Sequence, residues 1–197
     1  LGDLYYEMAQ LHRAKEVYEQ ALTFTEQHTG RPDMLFSGYV YIGIARILRQ
    51  WNQIDEAYRL AEKGIKLCRD WNVTDILALS CIELANIDWA LGDIEQARAS
   101  FVEAIQMMES FSTWGSNYVA AYKVKFDVAC SDFDAIERWE QANDLDLEGD
   151  YESHREVEYL AQARVFLVQE RWDETHVLVK RIYRIAQETG KKQTELE

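Results

Sequence analysis

The residues able to do chemistry in this chain are few and far apart. His12, His28, His154 and His176 are scattered over 197 residues and form neither an H-E-x-x-H pair nor a Cys/His set with metal-ligand spacing. A nucleophile or general base needs a second group within hydrogen-bond reach, and the spacing supplies no such partner. Cys68, Cys81 and Cys130 are odd in number, widely separated and set in apolar helical patterns. They read as reduced core thiols of a cytoplasmic protein. Asp144, Asp146, Glu148 and Gly149 follow the opening of a calcium loop only loosely, since Glu148 stands where Asp or Asn belongs. The twelfth position is Arg155 in place of a bidentate Glu, and Glu156 falls one place late. The segment reads as an exposed acidic link. The expectation is a non-enzyme with no catalytic residue, no metal site and no cofactor in this chain.

Binding chemistry is better represented. Arg46, Arg49, Lys125 and Arg164 recur at related positions beside Tyr39, Asn86, Trp89 and Tyr118, in a chain whose net charge is −14. Guanidinium groups make paired hydrogen bonds to carboxylates or phosphates, and aromatic faces pack on sugars, bases or apolar side chains. Whether these residues meet depends on the elements that carry them.

Those elements follow from a repeat. The stretch Leu91 to Ala104 is echoed on both sides: setting the copies on Ala97 aligns Ala14, Ala57, Ile136 and Thr175, at intervals of 43, 40, 39 and 39 residues. Twelve residues before each anchor stand Gly2, Ala45, Ala85, Val124 and Ala163, mostly small, as a close helix crossing requires. Three before it come Leu11, Ile54, Ile94, Phe133 and Trp172, all apolar. After it, Tyr18/Ala21, Ala61/Gly64, Phe101/Ala104 and Val179/Ile182 continue a face at helical spacing, while the fourth copy departs with Glu140 and Asn143. The spacing predicts helices over about 1–10, 11–28, 33–50, 53–70, 74–91, 94–110, 116–130, 133–142, 152–169 and 173–189. Gly30 and Pro32 mark the clearest boundary, Asn52 and Asp93 are candidate caps, Gln96 can close a capping box, and Lys191 to Glu197 begins another helix or is foreign sequence. Trp51, Trp71, Trp139 and Trp172, near helix ends, are expected to pack.

The fold class is therefore all-α: an α-α superhelix of about four to five hairpins with a repeat near 40 residues. It is expected to form one domain over 1–197, with a degenerate fourth repeat at about 116–150 and a first hairpin begun before Leu1. In such a stack the first helix of each hairpin lines a concave groove. One residue after the crossing come Asp3, Arg46, Asn86, Lys125 and Arg164. Four after it come Tyr6, Arg49, Trp89, Val128 and Leu167, and six before it Tyr39, Leu79, Tyr118 and Val157. The candidate groove is thus Tyr39, Arg46, Arg49, Asn86, Trp89, Tyr118, Lys125 and Arg164, fit for an anionic or polyhydroxylated ligand or an acidic peptide segment. The competing reading pairs the cations with neighbouring carboxylates such as Glu83 and Asp88.

The acidic balance, with a pI near 4.7, argues against direct nucleic-acid contact by this chain. No apolar run approaches the roughly 20 residues that span a bilayer, and no signal segment opens the sequence, so no membrane partner is expected.

The repeat itself is tetratricopeptide-like. Within it, Glu158 to Val165, Arg171-Trp172-Asp173-Glu174, Ile185 to Gly190, Arg49 to Ala57 and Ile136-Glu137-Arg138-Trp139 resemble the sensor repeats of the MalT-like, LuxR-type ATP-dependent transcriptional regulators of bacteria. The resemblance implies a central domain between an ATPase and a helix-turn-helix, receiving a small inducer or a regulatory protein or peptide. ATP and DNA would belong to those separate modules, because no G-x-x-x-x-G-K-[ST] loop or basic recognition helix occurs here. The rival is a free-standing scaffold that gathers protein partners outside transcription. An apolar hairpin face at Leu1 would permit self-association.

Overall fold

The computed structural model describes residues 1–29, 35–71, 73–109, 113–143, 145–147 and 149–196. Over these residues run α1 (Gly2–Glu7), α2 (Leu11–Thr29), α3 (Leu35–Gln50), α4 (Ile54–Asp70), α5 (Thr74–Leu91) and α6 (Ile94–Glu109). They are followed by α7 (Thr113–Ala129), α8 (Phe133–Ala142), α9 (Glu156–Val168), α10 (Trp172–Thr189) and α11 (Lys192–Leu196). A 3-10 turn at Ser153–Arg155 leads into α9, and no strand occurs among the described residues. The tail after Gly190 does turn into a short helix. The boundary expected at Gly30 and Pro32 lies outside the described residues, as do Asp144 and Glu148 of the loose calcium pattern.

The five hairpins α1/α2, α3/α4, α5/α6, α7/α8 and α9/α10 share one turn. Each first helix ends with a residue in the left-handed region five places before its anchor: Ala9 (φ 55°), Asn52 (59°), Gly92 (84°), Ser131 (56°) and Glu170 (59°). The next amide reaches back to close the last turn, Gln10 to Tyr5, Gln53 to Leu48, Asp93 to Asp88, Asp132 to Asp127 and Arg171 to Phe166, all 2.8 or 2.9 Å. The left-handed residue's own amide closes the inner bond of the same motif. Asn52 is consequently the turn residue and not the cap expected of it. Gln53 takes the cap position without a side-chain bond. Asp93 and Asp132 do cap, accepting from the amides of Gln96 (3.1 Å) and Ala135 (3.2 Å).

Two compact units result, Leu1–Phe111 and Ser112–Glu197. In the first, α2 packs on α3, α4 on α5, and the first helices α3 and α5 lie side by side. Its core joins Ala14, Ala45 and Ala57, all fully buried, with Tyr18, Ile47, Leu48 and Ile87. The small residues set the spacing. A Cβ on Gly64 would stand 2.9 Å from the Gly38 carbonyl oxygen, and one on Gly2 or Gly43 would enter the Tyr18 ring.

In the second unit α7 packs on α8 and α9, and α9 on α10. Val124, Ile136, Ala161 and Val165 form one cluster, and Tyr159, Phe166, Leu178 and Ile182 another. Among the described residues of the expected exposed link after Ala142, Asp146 and Asp150 are exposed, but the leucines are folded down. Leu145, Leu147 and Tyr151 pack on the second cluster, and Arg181 donates to the carbonyls of Leu147 (2.7 Å) and Gly149. Asp146 spends a carboxylate oxygen on the Gly149 amide at 2.9 Å, which is a turn bond. Alternating leucines supply apolar area that a reading of charge alone discounts. Trp51 and Trp139 pack as expected, but Trp71 and Trp172 are 50% and 60% exposed, because helix ends at the surface leave an indole nothing to cover it.

Candidate binding face of the first helices

In the first unit the predicted columns on α1 and α3 come together, and nearly every charge on them is already answered. Arg49 donates from Nε to Glu83 Oε1 at 2.6 Å and from Nη2 to Oε2 at 3.3 Å, a forked pair joining α3 to α5. Glu83 is 4% exposed. Burial favours a neutral Arg49, yet the Glu83 charge and hydrogen bonds hold its pKa above the ordinary arginine value.

Arg46 is held differently. Its guanidinium carbon lies 3.7 Å from the centroid of the Tyr6 ring, and Nη2 is a long 3.3 Å from Asp3 Oδ1. Its Nε is buried with no hydrogen-bond partner among the described residues. Burial again opposes the charge, but Tyr6, Tyr18, Glu83 and Asp3 together keep the pKa raised. Asp3 also accepts from the Tyr18 hydroxyl at 2.7 Å. Burial raises the Asp3 pKa, while the bonds from Tyr18 and Tyr39 and the charge of Arg46 outweigh it, so the net shift is downward. Gln50 completes the group by donating to the Tyr6 hydroxyl at 2.5 Å.

Among the other sequence-predicted residues, Asn86 turns back onto its own helix and donates to the Ile82 carbonyl at 3.0 Å. Trp89 is half-buried. Among the described residues Asp88 does not take an arginine; Ser100 Oγ lies 3.4 Å from its Oδ2, and burial followed by the charge of Asp93 pushes its pKa up. Tyr118, Lys125 and Arg164 belong to the second unit, where the Tyr118 hydroxyl lies 3.0 Å from that of Tyr122, Lys125 is exposed and Arg164 half-buried. Tyr39, Arg46 and Arg49 are thus gathered on the first unit, with Asp3, Tyr6, Tyr18 and Gln50.

Glu83 and Gln50 were not singled out as parts of this face by the columns. The signal that finds Glu83 is the 34-residue separation of Arg49 and Glu83, which recurs in Arg69 and Glu103, paired at 2.9 Å between α4 and α6. With a repeat near 40, that separation sets a residue late in one helix beside one a turn and a half earlier in the next equivalent helix. The arrangement places a cation, an aromatic face and a carboxylate together.

Comparison with known proteins bears on the whole chain. Among solved structures, the nearly identical TPR-like repeats assigned to a kinesin light chain of Podosopora anserina superpose with a TM-score of 0.62 at 18% identity, over 96% of this chain and 93% of that one. BtubC (BKLC) from P. vanneervenii gives 0.63 at 19%, over 96% and 78%. A Rap protein complexed with Competence and Sporulation Factor gives 0.59 at 15%, over 95% and 62%. At these identities the likeness establishes the tetratricopeptide-like α-α repeat fold. No curated protein matches by sequence at a significant level. The family profile described as the MalT-like TPR region matches residues 1–197, and the hairpins, their shared turns and their small crossing residues are those of such repeats. The chain belongs to the MalT-like TPR region family.

Proposed function

We propose that this chain is the partner-receiving sensor domain of a MalT-like, LuxR-type transcriptional regulator, and that it takes an acidic peptide segment of a regulatory protein on the α1/α3/α5 face. The observation that carries this reading is the unequal state of the two arginines. Arg49 is forked onto a buried carboxylate and serves as a tie between helices. Arg46 is stacked on Tyr6 and held to Asp3 by one long bond at 3.3 Å, and the Asp3 side chain is 43% exposed. A carboxylate from a partner competes with Asp3 for Arg46, because the long, half-exposed pair contributes only about 1 kcal/mol or less while Asp3 keeps its bond from the Tyr18 hydroxyl. The solved Rap protein, of similar fold, is complexed with Competence and Sporulation Factor, which supports a binding role for a fold of this kind. ATP and DNA have no role at this face in the reading; they belong to separate modules of the regulator.

The test is fluorescence anisotropy with labelled acidic peptides. Arg46→Ala abolishes binding and Asp3→Asn strengthens it, with circular dichroism unchanged in both. Equal affinity of all three proteins removes the face from consideration. An upstream phosphate-binding loop and a downstream helix-turn-helix in the longer reading frame distinguish the regulator from a free-standing scaffold.

A further inference from the structure

The second unit carries a recess beside the degenerate fourth copy. In the first three copies the residue four places after the anchor is a buried apolar side chain, Tyr18, Ala61 or Phe101. In the fourth copy that place is Glu140, on the short helix α8. A carboxylate cannot be left in an apolar seam, and Glu140 is drawn aside by Gln162 Nε2 (3.1 Å), Gln169 Nε2 (2.6 Å) and Arg171 Nη1 (2.8 Å). Beside it lies a cleft of about 380 Å³ between α8 and the end of α9.

The floor of the cleft is Ile136 and Val168, and one wall is the ring of Phe133, which is 61% exposed, like its counterpart Trp172 at 60%. The rim carries Glu137, Glu140 and Gln141. Glu140 is neutralised by Arg171. Among the described residues Glu137 receives only the Gln141 amide at 3.0 Å and meets no cation. The volume sits at the small end of the range of ligand pockets, about 300–1,000 Å³, and suits one or two side chains.

We propose that this cleft is a docking site for a protein partner that inserts an apolar side chain flanked by Lys or Arg. The apolar group rests on Ile136, Val168 and Phe133, and the cation pairs with Glu137. The argument for this occupant is complementarity: an apolar floor beside an uncompensated carboxylate, in a chain of net charge −14 that attracts basic segments at long range. The site is separate from the α1/α3/α5 face and stands whether or not that face binds anything.

The experiment is a proton–nitrogen NMR titration of the whole chain with the peptide acetyl-Arg-Leu-Leu-Arg-amide. Shifts are expected at Phe133, Ile136, Glu137, Gln141, Val168 and Gln169. Glu137→Lys, an exposed change that leaves the fold intact, weakens binding by about fivefold or more, the scale of one rim ion pair. Phe133→Ala weakens it as well. The proposal is overturned by shifts centred elsewhere, by no saturable shift, by equal binding of acetyl-Glu-Leu-Leu-Glu-amide, or by the same resonances moving with the concentration of the chain itself, which would make a second copy the occupant.

Discussion

Arg49 and Glu83 meet through two hydrogen bonds, 2.6 and 3.3 Å, between the first helices of consecutive hairpins. The carboxylate is buried and the guanidinium only partly so, which makes the pair costly to break from one side and inexpensive to remove whole. Arg49→Ala is expected to destabilise the fold by about 2–3 kcal/mol, because Glu83 is left charged and unpaired. Arg49→Met with Glu83→Leu recovers most of that loss. Urea midpoints of the three proteins decide it, and a double variant no better than the single one would contradict the account.

The crossing of α3 and α4 gives a second expectation. Gly64→Ala places a methyl 2.9 Å from the backbone oxygen of Gly38 and from Ile42, and a carbonyl cannot step aside as a flexible side chain does. A loss of about 2 kcal/mol follows from overpacking. Calorimetry should show a lowered Tm, whereas an unchanged Tm would mean that the helices part freely.

The shared turns predict gains as well as losses. Glu170 stands in the left-handed region at φ 59°, where an L side chain costs about 1–2 kcal/mol, so Glu170→Gly should stabilise by about 0.5 kcal/mol after glycine's entropy is subtracted. Gly92→Ala, at φ 84° in open space, should lose about 1 kcal/mol by strain alone. Chemical denaturation of both variants tests the sign.

Acid titration separates two aspartates. The native pKa of Asp3 is below its ordinary 3.8, so its bonds stabilise the fold above that value, and the contribution is lost as pH falls through the native pKa. Asp3→Asn therefore weakens the protein at pH 7 but not in strong acid. Asp88 is the reverse: burial, then Asp93, lift its native pKa above 3.8, so stability rises as pH falls through that native value. Asp88→Asn should stabilise at pH 7 by about 0.5–1 kcal/mol, since a carboxylate in the last turn also opposes the helix dipole. Urea midpoints between pH 7 and pH 2 report both.

Thiol reactivity should follow burial. The Cys81 thiol is pushed up to about 12, first by burial and then by the charge of Glu103, and Cys68 is fully buried. Cys130 is half-buried. Iodoacetamide at pH 8 is expected to label Cys130 first, and rapid labelling of Cys81 would show that α5 opens readily.

Periodicity alone determined that the chain is helical, where its hairpins lie and which small residues let them cross, because those properties depend on spacing along one or two adjacent helices. Ala14, Ala45, Ala57, Ala85 and Ala97 are all fully buried, as their columns require. Only the tertiary structure decided what the charged residues do. Arg49 reads from its column as a groove cation, but Glu83, 34 residues away, turns it into a tie. Asn86 reads as a polar contact and bonds its own helix. The left-handed turns are another case, announced locally by Gly92 but imposed on Ala9, Ser131 and Glu170 by the need to close each hairpin. The leucines of the acidic segment after Ala142 fold down because Arg181 and the α9/α10 core are waiting for them. Partners brought together across tens of residues depend on where helices come to rest, and that is settled by packing the whole unit at once.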